Sequence, residues 1–300
     1  MMTWRLWRGL RNLPDGDPIF RRGAQNHQSR GRWMLYLDNL SSLVVIAVII
    51  AYMRASLLSL STGLSPVILI GGFIILGGTV HGVEWTLAIS DTVAQARSSH
   101  MLDLLSTTPR GAIGAVWSLA LSQIHRASSF YSRYSKRRRI YLSLGTLLLV
   151  FIIVLGVMVL PTSSTNTQSF FDLNALFVGV LSSFALLAAT YMDYIQSIVI
   201  SLLTGMIAPS FSRQRFDAQV IGLGGFFVAQ FGTYLVTFLV CILILPTIGR
   251  MFDIDSLTLE LVLLLPRLLV FFLIREALIV LLWRWLTVRY NEALIPSARV

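Results

Sequence analysis

Six long apolar segments punctuated by polar stretches organise this chain, at about 39–60, 66–90, 140–160, 173–193, 219–246 and 258–286. About 20 apolar residues in a helix cross a hydrocarbon core of about 30 Å, and each segment meets that length. The pattern predicts an all-α, polytopic integral membrane protein of six transmembrane helices. At 29 residues the last segment would reach about 43 Å, too far for one upright span. Pro266 divides it, which predicts a short element near 257–265 at the outer leaflet and a final span from Arg267 onward. Residues 3–13 put Leu6, Trp7, Leu10 and Leu13 on one helical face and Arg5, Arg8 and Asn12 on the other. That is the pattern of an amphipathic helix lying in the headgroup layer, and its Arg-rich, acid-poor character also fits an organellar transit peptide.

Composition agrees with lipid as the main solvent: 55% of residues are hydrophobic, 13% are charged and the mean hydropathy is +0.74. Charge adds sidedness. Of 24 cations, 20 fall before Asn39, in 91–139, in 193–218 or after Trp283, and the alternate loops 61–65 and 161–172 have none. Positive loops remain cytoplasmic, so both termini are expected inside a bacterial-type inner membrane. Residues 1–38 then form a cytoplasmic amphipathic segment, 39–300 the six-helix membrane domain, and 91–139 its cytoplasmic loop. The net charge of +10 follows these loops and forms no aromatic-laced patch, so anionic membrane lipids are the expected counterions and nucleic acid is not. Cys241 is the single cysteine, which excludes an intrachain disulfide or a thiolate cluster.

Motifs of soluble chemistry are missing. There is no GxxxxGK[ST], HExxH or GxSxG, and His27, His81, His100 and His125 share no metal-binding spacing, so neither an enzyme nor a cofactor is expected. Polar residues inside the apolar runs are the candidates for function. His81, Glu84, Asp91 and Gln95 share a face of the second run, and Asp193, Gln196, Ser197 and Thr204 follow the fourth. Such stripes line a passage or mark the inner interface. Arg267, Arg275 and Glu276 lie in the last run, where a charge near the bilayer centre costs at least about 2.5 kcal/mol unless paired or hydrated. Arg275 and Glu276 point about 100° apart, so each needs a partner on another helix, whether in a passage or in an interhelical salt bridge.

The segment RSSHMLDLLSTTPRGAI at 97–113 carries a family resemblance. Arg97, the run Leu102, Asp103, Leu104 and Leu105, then Thr108 and Pro109 before a new apolar helix, resemble the cytoplasmic coupling helix of ATP-binding-cassette exporter permeases of the second type. A looser likeness covers 201–222. Ser98, Ser99 and His100 stand where that family carries acidic residues, and Ala115, Val116 and Trp117 replace its Gly-Lys pair. The resemblance implies a permease subunit working as a homo- or heterodimer, with separate cytoplasmic ATPase subunits docked on these residues. The departures keep open a non-transporting integral membrane scaffold or accessory subunit of a larger complex.

Overall fold

The computed structural model describes residues 1–11, 20, 65–102, 111–126, 143, 146, 173–212, 214–245, 247 and 256–292. These residues form six α-helices and no strand: α1 Met2–Arg11, α2 Ser65–Ser98, α3 Gly111–Arg126, α4 Leu173–Ile207, α5 Arg215–Leu239 and α6 Ser256–Glu292. A 3-10 turn, Ala208–Ser210, follows α4, and a π-helical turn, Val240–Ile244, follows α5. The run 39–60, nearly all of 140–160 and the coupling residues 103–110 lie outside the described residues. Leu187–Ser210 and Arg215–Leu239 are each long and apolar enough to cross a membrane.

α4 is the hub, packed against each of the other five helices, with α2 and α6 its most extensive partners. α2 runs parallel to it: a Cβ on Gly78 would meet Ser197, Thr86 Oγ1 donates to the Ser201 carbonyl at 3.3 Å, and Gly205 touches Ile89. α6 is also parallel, since Arg275 lies at Ser197 and the Tyr290 hydroxyl donates to the Met206 carbonyl at 2.8 Å. α5 runs the other way. Its Gly222 sits at Ala208, and its Gln230 sits at Ser197. Two residues after α2 ends, His100 has a φ of 57°, the left-handed turn that closes many helices.

Three expectations are corrected. The stretch after Asp193 is not loop: α4 continues to Ile207, and every residue from Asp193 to Pro209 is buried. Its hydroxyls need no water, because Ser201 Oγ and Thr204 Oγ1 donate to the carbonyls of Ile198 and Ile200 at 2.8 and 2.9 Å. The polar stripe therefore lies in the bundle core and not at its rim. Nor does Pro266 divide the last segment, which is one 37-residue helix. A proline removes one backbone hydrogen bond, and here the π turn after α5 packs beside it, with Cys241 Sγ 3.8 Å from the Arg267 carbonyl.

The third correction concerns α1. Leu6, Trp7 and Leu10 are buried and Arg5, Arg8 and Arg11 exposed, as the periodicity predicts. What receives the apolar face is protein, since α1 packs on α4 and α6. Gly9 fits against the Trp117 ring, and the His125 ring bonds the Leu10 carbonyl at 2.7 Å. The helix is stapled to the bundle along its length.

Candidate functional site

The most polar place in the bundle core is built by three helices around Arg275. Its Nη1 pairs with Asp193 Oδ1, and its Nη2 donates to Ser197 Oγ at 2.8 Å and to Gln230 Oε1 at 3.0 Å. The Tyr234 hydroxyl donates to Asp193 Oδ1 at 2.8 Å, and Gln230 Nε2 donates to Ser197 Oγ at 2.8 Å and to the Tyr234 oxygen at 2.6 Å. The rings of Tyr234 and Phe271 each lie 5.4 Å from the guanidinium carbon, so its faces are covered as well as its edge. Side-chain exposure of Arg275 and Asp193 is 0% and 2%.

Spacing explains why this sequence makes the cluster. Asp193 and Ser197 are i, i+4 on α4, and Gln230 and Tyr234 are i, i+4 on α5, so each helix offers two polar groups on one face. α2 closes the fourth side by a close approach at Gly78. A Cβ on Gly78 would collide with Asp193 Oδ2 and Ser197 Oγ, and one on Gly82 would collide with the Phe226 ring. Desolvating two charges costs several kcal/mol per ion, and the bonds made by both Nη atoms offset it, while Arg275 Nε is left without a hydrogen-bond partner among the described residues. The arrangement is a closed brace: acid and base neutralise one another. Among the described residues no three of His, Cys, Asp and Glu converge where a metal could sit.

Glu276, the next residue, turns to α1. Its carboxylate accepts from the backbone N–H of Met2 and the hydroxyl of Thr3, and the Thr3 N–H lies 3.3 Å from Oε1. It thus caps the N-terminus of a helix 273 residues away, where an anion also meets the positive end of the dipole. Glu276→Leu is expected to cost about 0.5–2 kcal/mol, the range of a lost N-cap, and, by loosening α1 from the bundle, to make the backbone after Arg5 and Arg8 cleavable by trypsin in the purified protein. Unchanged protection would show that the apolar face alone holds α1.

At the far end of the bundle, the segments carrying the family resemblance meet. Arg97 Nη1 donates to the Pro209 carbonyl, joining the end of α2 to the turn after α4. Arg215, the first residue of α5, pairs with Asp91 at 3.1 Å and donates to Gln95 Oε1 at 2.7 Å. Arg289 stacks on Phe211 at 5.3 Å. Of the other coupling residues, Leu102 is buried, while Asp103, Leu104, Leu105, Thr108 and Pro109 lie outside the described residues. Glu84 is half-buried on α2, Arg267 is half-buried toward the start of α6, and Gln196 lies beside a cavity between α4 and α6.

The structure thus unites Asp193 and Arg275, separates Glu276 from them, and draws in Gln230, Tyr234 and Gly78, which sequence reasoning missed. The amide of Gln230 in the middle of an apolar run, four residues before Tyr234, was the available signal. No protein-family model matches this chain, and neither a curated protein nor a solved structure is significantly similar to it.

Proposed function

We propose that this chain is a multi-pass protein of a bacterial-type inner membrane and serves as the permease subunit of an ATP-binding-cassette export system. The observation that carries the reading is the Arg97–Pro209 contact, which brings together the two segments of resemblance, more than 100 residues apart in sequence. Arg97, Arg215 and Arg289 gather at that same end, as the alternation of basic loops requires of a cytoplasmic face. α2, α4 and α6, at 34, 35 and 37 residues, are about 51 to 55 Å long and exceed the hydrocarbon by about 20 Å. The ionic cluster lies near their midpoints, where lipid would penalise unpaired charges most and the Asp193–Arg275 pair removes that penalty.

In this reading, ATPase subunits bind the segment after α2. Force applied there reaches α4 through the parallel contacts at Thr86, Ile89 and Gly205, and reaches the α4–α5 turn through Arg97. The docking end then moves α2, α4 and α5 together, and the path for substrate opens between two permease protomers. A non-transporting scaffold is the second reading. The closed state of the cluster favours it, because Arg275 and Asp193 are spent on each other and face no polar passage among the described residues.

Affinity purification from membranes separates the two. An ATPase is expected to co-purify with the wild-type chain and to be lost from the Asp103→Arg, Leu105→Arg double variant. Redox or secretion subunits in its place would support the scaffold, and ATPase association that survives the double substitution would overturn the docking site.

A further inference from the structure

A cavity of about 720 Å³ lies between the first turn of α1, α4 and α6, and its walls are almost wholly apolar. Trp4, Met192, Ile195, Leu269 and Phe272 line it, and it opens beside Leu265 and Leu269, which are 70% and 59% exposed. A methylene takes about the space of a water, about 30 Å³, so one long acyl chain fits inside.

Cations stand at one end of this cavity. Trp4, on its wall and 45% exposed, carries the Arg8 guanidinium over its ring, 5.9 Å from the centroid. Arg5 lies on the same exposed face of α1, three residues before Arg8. Neither arginine pairs with a carboxylate among the described residues, and α1 has no acidic residue of its own. An apolar slot with an exposed cation at its rim complements a molecule that joins a phosphate to a hydrocarbon chain.

The dimensions agree with one leaflet. α1 and α6 run the same way, since Thr3 lies at Glu276 and Gly9 meets Trp117, whose ring is 5.9 Å from that of Trp283. At 1.5 Å per residue, Arg8 stands about 7.5 Å beyond Glu276 and Leu269 about 10.5 Å before it, a separation of about 18 Å along the bundle. A leaflet with its headgroups is about 20–22 Å thick. Arg284 is exposed on α6 within about one turn of the Arg8 level, as a headgroup boundary requires.

We propose that the cavity holds one acyl chain of an anionic phospholipid, of which phosphatidylglycerol is a simple example, with the phosphate on Arg8 beside Trp4 and the chain running past Phe272 to Leu269. The inference rests on the proposed membrane location and is independent of export.

The test uses the full chain in phosphatidylcholine nanodiscs with trace phosphatidylglycerol or phosphatidylcholine, each carrying a diazirine near the end of one chain. After illumination, labelled peptides are mapped by mass spectrometry. Label is expected on Met192, Leu269 or Phe272, about fivefold more from phosphatidylglycerol, the pull of one cation on an anionic headgroup. Arg8→Gln, at an exposed position, should bring that ratio close to one, and Arg8→Lys should retain it. Free glycerol phosphate should not compete. Equal labelling by the two lipids in wild type, a preference that survives Arg8→Gln, or competition by glycerol phosphate without a chain would each overturn the proposal. Label confined to the exposed face of α5 at Val228 and Leu235 would overturn the site while leaving the chain in lipid. Absence of label anywhere would overturn the membrane location together with it.

Discussion

Asp193→Leu is expected to destabilise the protein by about 3–5 kcal/mol, because it leaves the fully buried Arg275 charge without its counterion. Arg275→Met alone strands the carboxylate and should cost a similar amount. Removing both charges, as Asp193→Leu with Arg275→Met, should recover most of the loss, since a well-packed apolar pair often equals or exceeds a buried ion pair. Thermal unfolding of the four proteins in one detergent supplies the double-mutant cycle. A strong positive coupling is the expected result. Additive losses would mean that Ser197, Gln230 and Tyr234 hold each charge independently of the other.

The second large effect is steric. Gly82→Leu should cost about 1–3 kcal/mol or more, because the Phe226 ring already occupies the place where its Cβ would stand. Phe226 is 0% exposed and has nowhere to retreat. Phe226→Ala alone should also destabilise, by about 3–5 kcal/mol through the cavity it leaves. In combination the two substitutions should be less harmful than their sum, since one fills what the other empties. A simple sum would place the Gly82 defect in the helix backbone and not in the contact between α2 and α5.

Much of this architecture was legible in the hydrophobic pattern. Three of the six apolar runs fall within described helices, a fourth is covered by α5 and its π turn as far as residue 245, and the buried face of α1 is the one its periodicity marks. Other features were not legible, for physical reasons. Serine and threonine read as polar, so the hydrophobic pattern ends the fourth run at Asp193. In the fold those hydroxyls bond back to their own helix and α4 stays buried. Spacing within one helix reveals neighbours at i+4, but Arg275 finds Asp193 across 82 residues. Gly78 and Gly82 matter through the side chains they lack, and composition does not report that. Pro266 marks a break by local propensity alone, and packing against the π turn after α5 prevails over it.

Sidedness decides whether the Arg97–Pro209 end can meet an ATPase at all, and one labelling experiment measures it. With Cys241 replaced by Ser, single cysteines are introduced at the exposed positions Ser99, at the end of α2, and Thr247, beyond the π turn after α5. Intact cells treated with a membrane-impermeant maleimide should label Thr247→Cys at once and Ser99→Cys only after permeabilisation. Labelling of Ser99→Cys from the outside of intact cells would contradict the account, because the end of the bundle that carries Arg97, Arg215 and Arg289 would then face away from every source of ATP.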